Sequence, residues 1–228
     1  MTKNAVSASF VGSLVAVLVV SCPVVAQQKV PGNGAGEQHP SGQQAKNPRG
    51  SSVGAAVPEV HRIDFRNFIY VALPSDRKDY HLPESIQVKD GEFKAGKEMD
   101  EVYFGITGIE YGDLTGDGRE EAVVHATCGM SMGNGGTDDF YMYVMNKGHV
   151  ESLGTLSSDE MTRDYLRHQP DGILWRVSSV KVKDGKLDIE WFADGSHAAP
   201  QFIVTLEYRW NGHAFVMNGA PQKRKFGK

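Results

Sequence analysis

The chain is poor in cysteine, with only Cys22 and Cys128 among 228 residues. A disulfide-stapled scaffold is therefore excluded, and loss of a leader carrying Cys22 would leave Cys128 with no intramolecular partner. Paired metal-binding histidines are missing too: His149, His168, His197 and His213 are scattered, with no HExxH or HxH spacing. A surplus of one charge is lacking, because the formal net charge is −4, so no electrostatic argument favours nucleic acid as a partner. Long apolar runs are also absent. The run from Phe10 to Val20, broken at Gly12 and Ser13, is too short to span a bilayer.

That run has the length and flanking Lys3 of a signal-peptide core. Residues 1–26 are read as a signal peptide, with small residues in Val24-Val25-Ala26 before a mature start at Gln27. The expectation is an exported chain, periplasmic or secreted, with no transmembrane helix in its mature form. The alternative cleavage lies at Val19-Val20-Ser21-Cys22, which resembles a bacterial lipobox, although Pro23 fits it poorly. A lipid on Cys22 would make the protein an anchored envelope lipoprotein.

Residues 27–58 consist largely of Gly, Gln, Pro, Ser and Ala. They offer too little apolar surface to offset ordering entropy and read as a flexible linker. Folding is expected from Val60, where "VHRIDFRNFIYVAL" brings dense apolar side chains, so that 59–218 forms the globular domain. Residues 219–228, with "QKRKFGK", read as a solvated basic tail.

Within the domain the dominant hydrophobic period is two. In "FIVTLEYRW" residues Phe202, Val204, Leu206, Tyr208 and Trp210 share one face of a strand, and Thr205, Glu207 and Arg209 the other. Asn211-Gly212, Asp184-Gly185 and Asp90-Gly91 each separate alternating runs and predict type I′ hairpin turns. Further strands are expected over 101–111, 122–128 and 139–146. "SDEMTRDYLRHQ", capped by Ser158 and with Met161, Tyr165 and Leu166 near one face, is the single short helix. The fold class is mainly β, with β-rich α+β as the variant: an antiparallel, hairpin-built sheet, sandwich or barrel.

The sharpest motif is "DLTGDGREE", residues 113 to 121. Calcium takes six to eight oxygen ligands, and an EF-hand loop supplies them from positions one, three, five, seven and nine, with glycine at six. On that frame the metal ligands are Asp113, Thr115, Asp117, the Arg119 carbonyl and Glu121, around Gly118. Position twelve departs, because Val124 stands where a bidentate glutamate belongs. Asx and Ser/Thr turns offer a purely structural role for the same side chains.

"YGDLTGDGREEAVV" resembles the strand-loop-strand calcium segment of FG-GAP and VCBS-type repeats, which also lack the twelfth-position glutamate. The motif occurs once here, so the resemblance implies a Ca2+ loop and not a propeller. Together with "DFRNF", "DGEF" and "YRWNGHAF", it makes the chain similar to exported bacterial proteins and lipoproteins of unknown function. That wider resemblance implies an address and an architecture, and no activity.

Catalysis has weaker support. A Cys128 nucleophile with His125 as base would have to form from "AVVHATC", where strand alternation places Ala122, Val124, Ala126 and Cys128 opposite Val123, His125 and Thr127. "CGMSMGNGGTDD" has the glycines of an anion cradle but lacks the P-loop ending and a following helix. Tyr103 with Tyr111 and Tyr141 with Tyr143 share faces, which would stack on glycans or peptides if exposed and fill a core if not. The function expected is a noncatalytic exported binding or envelope module, its candidate ligands being glycans, peptides or envelope components. A small secreted hydrolase is the alternative.

Overall fold

A computed structural model describes residues 57–133 and 135–227. The leader, both cleavage sites and most of the linker lie outside the described residues. After two 3-10 turns, Glu59–Arg62 and Phe65–Asn67, come β1 (Ile69–Val71), helix α1 (Pro74–Tyr80) and β2 (Ser85–Gln87). Next are β3 (Glu92–Ala95), β4 (Val102–Gly112), β5 (Glu121–Met130), β6 (Gly136–Asn146) and β7 (His149–Leu156). Helix α2 (Ser158–His168) precedes β8 (Leu174–Lys183), β9 (Lys186–Ser196), β10 (Ala199–Trp210), β11 (Phe215–Met217) and β12 (Gln222–Lys225).

The mainly β class holds, and every pairing between named strands is antiparallel. One sheet runs β3-β4-β5-β6-β7, and a second runs β11-β10-β9-β8 with β12 also on β10. The first sheet buries both faces. Ala122, Val124, Ala126, Cys128, Tyr141 and Tyr143 pack under Phe65, Phe68, Tyr70 and Ile86 of the N-terminal segment. Val123, Phe140 and Met142 pack against α2 and the inner face of the second sheet, where Ile189, Val204 and Leu206 lie. A central sheet thus sits between an N-terminal layer and a C-terminal sheet.

Turn chemistry explains most of the connections. Asp184 and Gly185, at φ +54° and +70°, close β8 onto β9 as a two-residue turn between Lys183 and Lys186. Asp90 and Gly91 adopt the same left-handed conformation, yet only Lys89 and Glu92 bridge across them. The expected third hairpin does not form, because β2 pairs with β1 while β3 pairs with β4. Asn211 does not make the two-residue turn either. Its Oδ1 accepts from the N–H groups of His213 and Ala214, giving a four-residue connection between Trp210 and Phe215.

The helices differ from the sequence reading in two respects. The cap of α2 is Ser157, in a reciprocal capping box with Glu160, one residue before the Ser158 expected. Helix α1 was not foreseen; Pro74 opens it, and its single buried residue is Asp76. The segment read as a solvated basic tail contains β12, whose residues Gln222 to Lys225 pair with Thr205 to Phe202 of β10. Lys223 reaches Asp194 and Arg224 reaches Glu190, so these cations have partners within the sheet.

Candidate metal centre

The loop between β4 and β5 brings Asp113, Asp117 and Glu121 together, with one carboxylate oxygen of each within 4.8 Å of the others. Two ligand oxygens on one calcium ion are separated by at most about 5 Å, so the spacing suits a shared ion. Gly116 and Gly118, at φ +79° and +84°, give the loop its tight path, and neither would meet another atom if a Cβ were added.

Each carboxylate is held differently. Asp113 accepts from the N–H groups of Gly116, Asp117 and Gly118 at 2.6, 3.2 and 2.8 Å, which fixes the turn as an Asx motif. Glu121, 0 % exposed, accepts from the N–H groups of Leu114 and Thr115 at 2.7 and 3.3 Å and from Thr115 Oγ1 at 3.2 Å. Burial pushes its pKa up, while those bonds pull the other way. Asp117 lies near the surface with its Oδ2 2.9 Å from Arg119 Nε and 2.5 Å from Nη2, and this guanidinium lowers its pKa.

The five proposed ligand residues therefore do not act alike. The carboxylates at the first, fifth and ninth positions converge. The Thr115 hydroxyl is turned toward Glu121, and Arg119 contributes a guanidinium to Asp117 and Nη1 to the Met145 carbonyl. Arg119 as a counter-charge inside the loop was the feature sequence spacing did not reveal. Three carboxylates against one guanidinium leave a surplus of negative charge.

Cys128 and His125, weighed against catalysis in the sequence, are kept apart. Cys128 is fully enclosed and its thiol is pushed well above its ordinary range by burial and then by the nearby Asp76 and Asp139 carboxyls. His125 faces the opposite side of β5, where Nε2 lies 2.7 Å from Asp138 Oδ1 and the ring stacks on Phe140 at 4.7 Å. The Cys128–His125 pair is not formed. Of the two readings of the tyrosine faces the core-filling one holds for Tyr141 and Tyr143, which lie under the N-terminal layer, while Tyr111 stacks on His61 at 3.8 Å. The glycine-rich loop after β5 and the acidic loop before it occupy opposite ends of that strand.

Among the described residues no helix is long and apolar enough to cross a membrane. In comparisons with protein families, curated proteins and solved structures, the chain matches none.

Proposed function

We propose that the chain is a noncatalytic, exported binding or envelope module whose β4–β5 loop takes one calcium ion. The observation that carries the calcium reading is the convergence of Asp113, Asp117 and Glu121 to within 4.8 Å of one another. A carboxylate oxygen that already accepts an N–H keeps a second lone pair, so the turn-forming bonds of Asp113 leave it able to ligate. Arg119 cancels part of the charge, which supports an expected affinity in the weak extracellular range of about 10⁻⁴ to 10⁻³ M. The resemblance of "YGDLTGDGREEAVV" to FG-GAP and VCBS segments supports the same reading.

Thermal unfolding tests it. In about 10 mM calcium, mass action on the folded state adds roughly 1.5 to 3 kcal/mol relative to chelator, a rise of several degrees in Tm. Asp117→Ala is expected to lose that response, and equal melting of the wild type in calcium and in chelator would sink the proposal. The address is tested separately, by mass spectrometry of the mature N-terminus. An unmodified start at Gln27 supports ordinary export, and a lipid-bearing Cys22 replaces it with an anchored form.

A further inference from the structure

Strand β6 carries two consecutive acids that point to opposite faces of the central sheet. Asp138 Oδ1 meets His125, and its Oδ2 accepts from the Val177 N–H of the C-terminal sheet at 3.2 Å. Asp139, 1 % exposed, lies on the other face beside Asp76 of α1, which is 0 % exposed. Each carboxyl acts on the titration of the other. Thr137 Oγ1 donates to Asp76 Oδ1 at 3.2 Å, and the Ser158 N–H donates to Asp139 Oδ1 at 2.8 Å.

Two oxygens are left without a donor. Asp76 Oδ2 and Asp139 Oδ2 are enclosed and accept from no group, and the Tyr141 hydroxyl is enclosed without bonding to either. The titratable groups coupled to the pair are Tyr80 from α1, Cys128 from β5, Asp138 and Tyr141 from β6, and Asp159 from α2. None of them is a cation. Two adjacent carboxylates in such surroundings cannot both ionise without a large desolvation and repulsion cost, whereas one proton held between them supplies the missing donor.

We propose that the Asp76–Asp139 pair is a proton-operated latch that holds α1, and with it the N-terminal layer, against the central sheet. Burial first, and then the Asp139 charge, raise the Asp76 acid from 3.8 to about 7. An opened α1 returns Asp76 to solvent with an ordinary carboxyl pKa. The latch is therefore fully closed below about pH 4, loosens as pH rises toward 7, and changes little beyond. Opening uncovers the face of β5 and β6 that holds Cys128 and Tyr141. The acidic loop lies at the other end of β5, so the latch does not rest on the calcium reading.

Alkylation of Cys128 by iodoacetamide in the full chain, separated from Cys22 by peptide mass spectrometry, reads the opening. Wild type and Asp76→Asn are compared at each pH, so the ionisation of the thiol cancels. The ratio of their rates is expected to rise at least about tenfold between about pH 5 and pH 8; a constant ratio overturns the latch. Hydrogen exchange of the amides over 75–80 in the wild type gives a second measurement that needs no variant. After correction for intrinsic rate, protection there should fall at least about tenfold over the same range, and unchanged protection overturns the proposal.

Discussion

Two groups of carboxylates lie toward opposite ends of β5 and are built in opposite ways. In the β4–β5 loop, Asp113 and Glu121 each accept three hydrogen bonds and Asp117 faces a guanidinium. Near the other end, Asp76 and Asp139 have one donor each from their surroundings and no cation. The same functional group is thus prepared for different partners. Where amides point inward, the carboxylate form gains donors, as the proposed calcium loop requires; where apolar packing and a second acid surround it, the neutral carboxyl is favoured.

The largest effect should come from Glu121, whose side chain joins both ends of the loop. Glu121→Ala leaves two N–H groups and a hydroxyl without their acceptor beneath the loop. A loss of about 2 to 4 kcal/mol is expected in chelator, measured by denaturant unfolding, and a larger one in calcium, where the ion's contribution is lost too. Glu121→Gln retains one acceptor oxygen and should lose roughly half as much. Near-wild-type stability of Glu121→Ala in chelator would remove the distinction between a donor-rich loop and a donor-poor pair.

Asp76→Asn should act in the reverse direction and only at higher pH. A pKa raised from 3.8 to about 7 means that the folded protein holds a proton the unfolded chain has released, so stability declines with pH across that window. Three units at about 1.4 kcal/mol each set a ceiling of about 4 kcal/mol, which relaxation of α1 reduces. The amide needs no proton to remain neutral. Asp76→Asn is therefore expected to be about 2 kcal/mol more stable than wild type near pH 8, a difference that shrinks as pH falls and is nearly gone at about pH 4. A stability difference independent of pH would count against proton sharing.

The contrast between these regions also separates what the sequence made legible from what it did not. The alternation from Phe202 to Trp210 placed Val204, Leu206 and Tyr208 in the core because a strand's period is a property of its own residues. Asp184-Gly185 similarly carried its turn within two residues. The acidic loop was readable because Asp113, Asp117 and Glu121 lie close in sequence, though the direction of the Arg119 guanidinium was not. Helix α1 escaped because "PSDRKDY" has no apolar periodicity, its buried position being an acid. Asp76 meets Asp139 only through the packing of α1 on the sheet, and no local pattern encodes that meeting. The strand containing Cys128 was read as having one core face, yet layers on both sides of the sheet bury Val123 as well as Val124.

Within the acidic loop, Asp113 and Asp117 offer a finer comparison. Asp113→Ala removes the acceptor for three consecutive loop amides and should cost about 1 kcal/mol even in chelator, as loss of a cap does. Its calcium response should vanish too, so this variant confounds folding with ligation.

Asp117→Ala should have the smallest effect of all in chelator. Its partner Arg119 is on the surface, where water screens the pair and side-chain entropy opposes it. The Asp117 Oδ1 bond to the Arg119 N–H at 2.9 Å is likewise on the exposed side of the loop. Melting in chelator should consequently be close to that of the wild type, while the rise produced by calcium disappears. If Asp117→Ala instead melts well below wild type in chelator and keeps its full calcium response, Asp117 holds the turn and the ion is bound without it. A loop that neither weakens in chelator nor responds to calcium in the wild type would be a corner formed by Asp113 and Glu121 alone, with Asp117 a surface partner for Arg119.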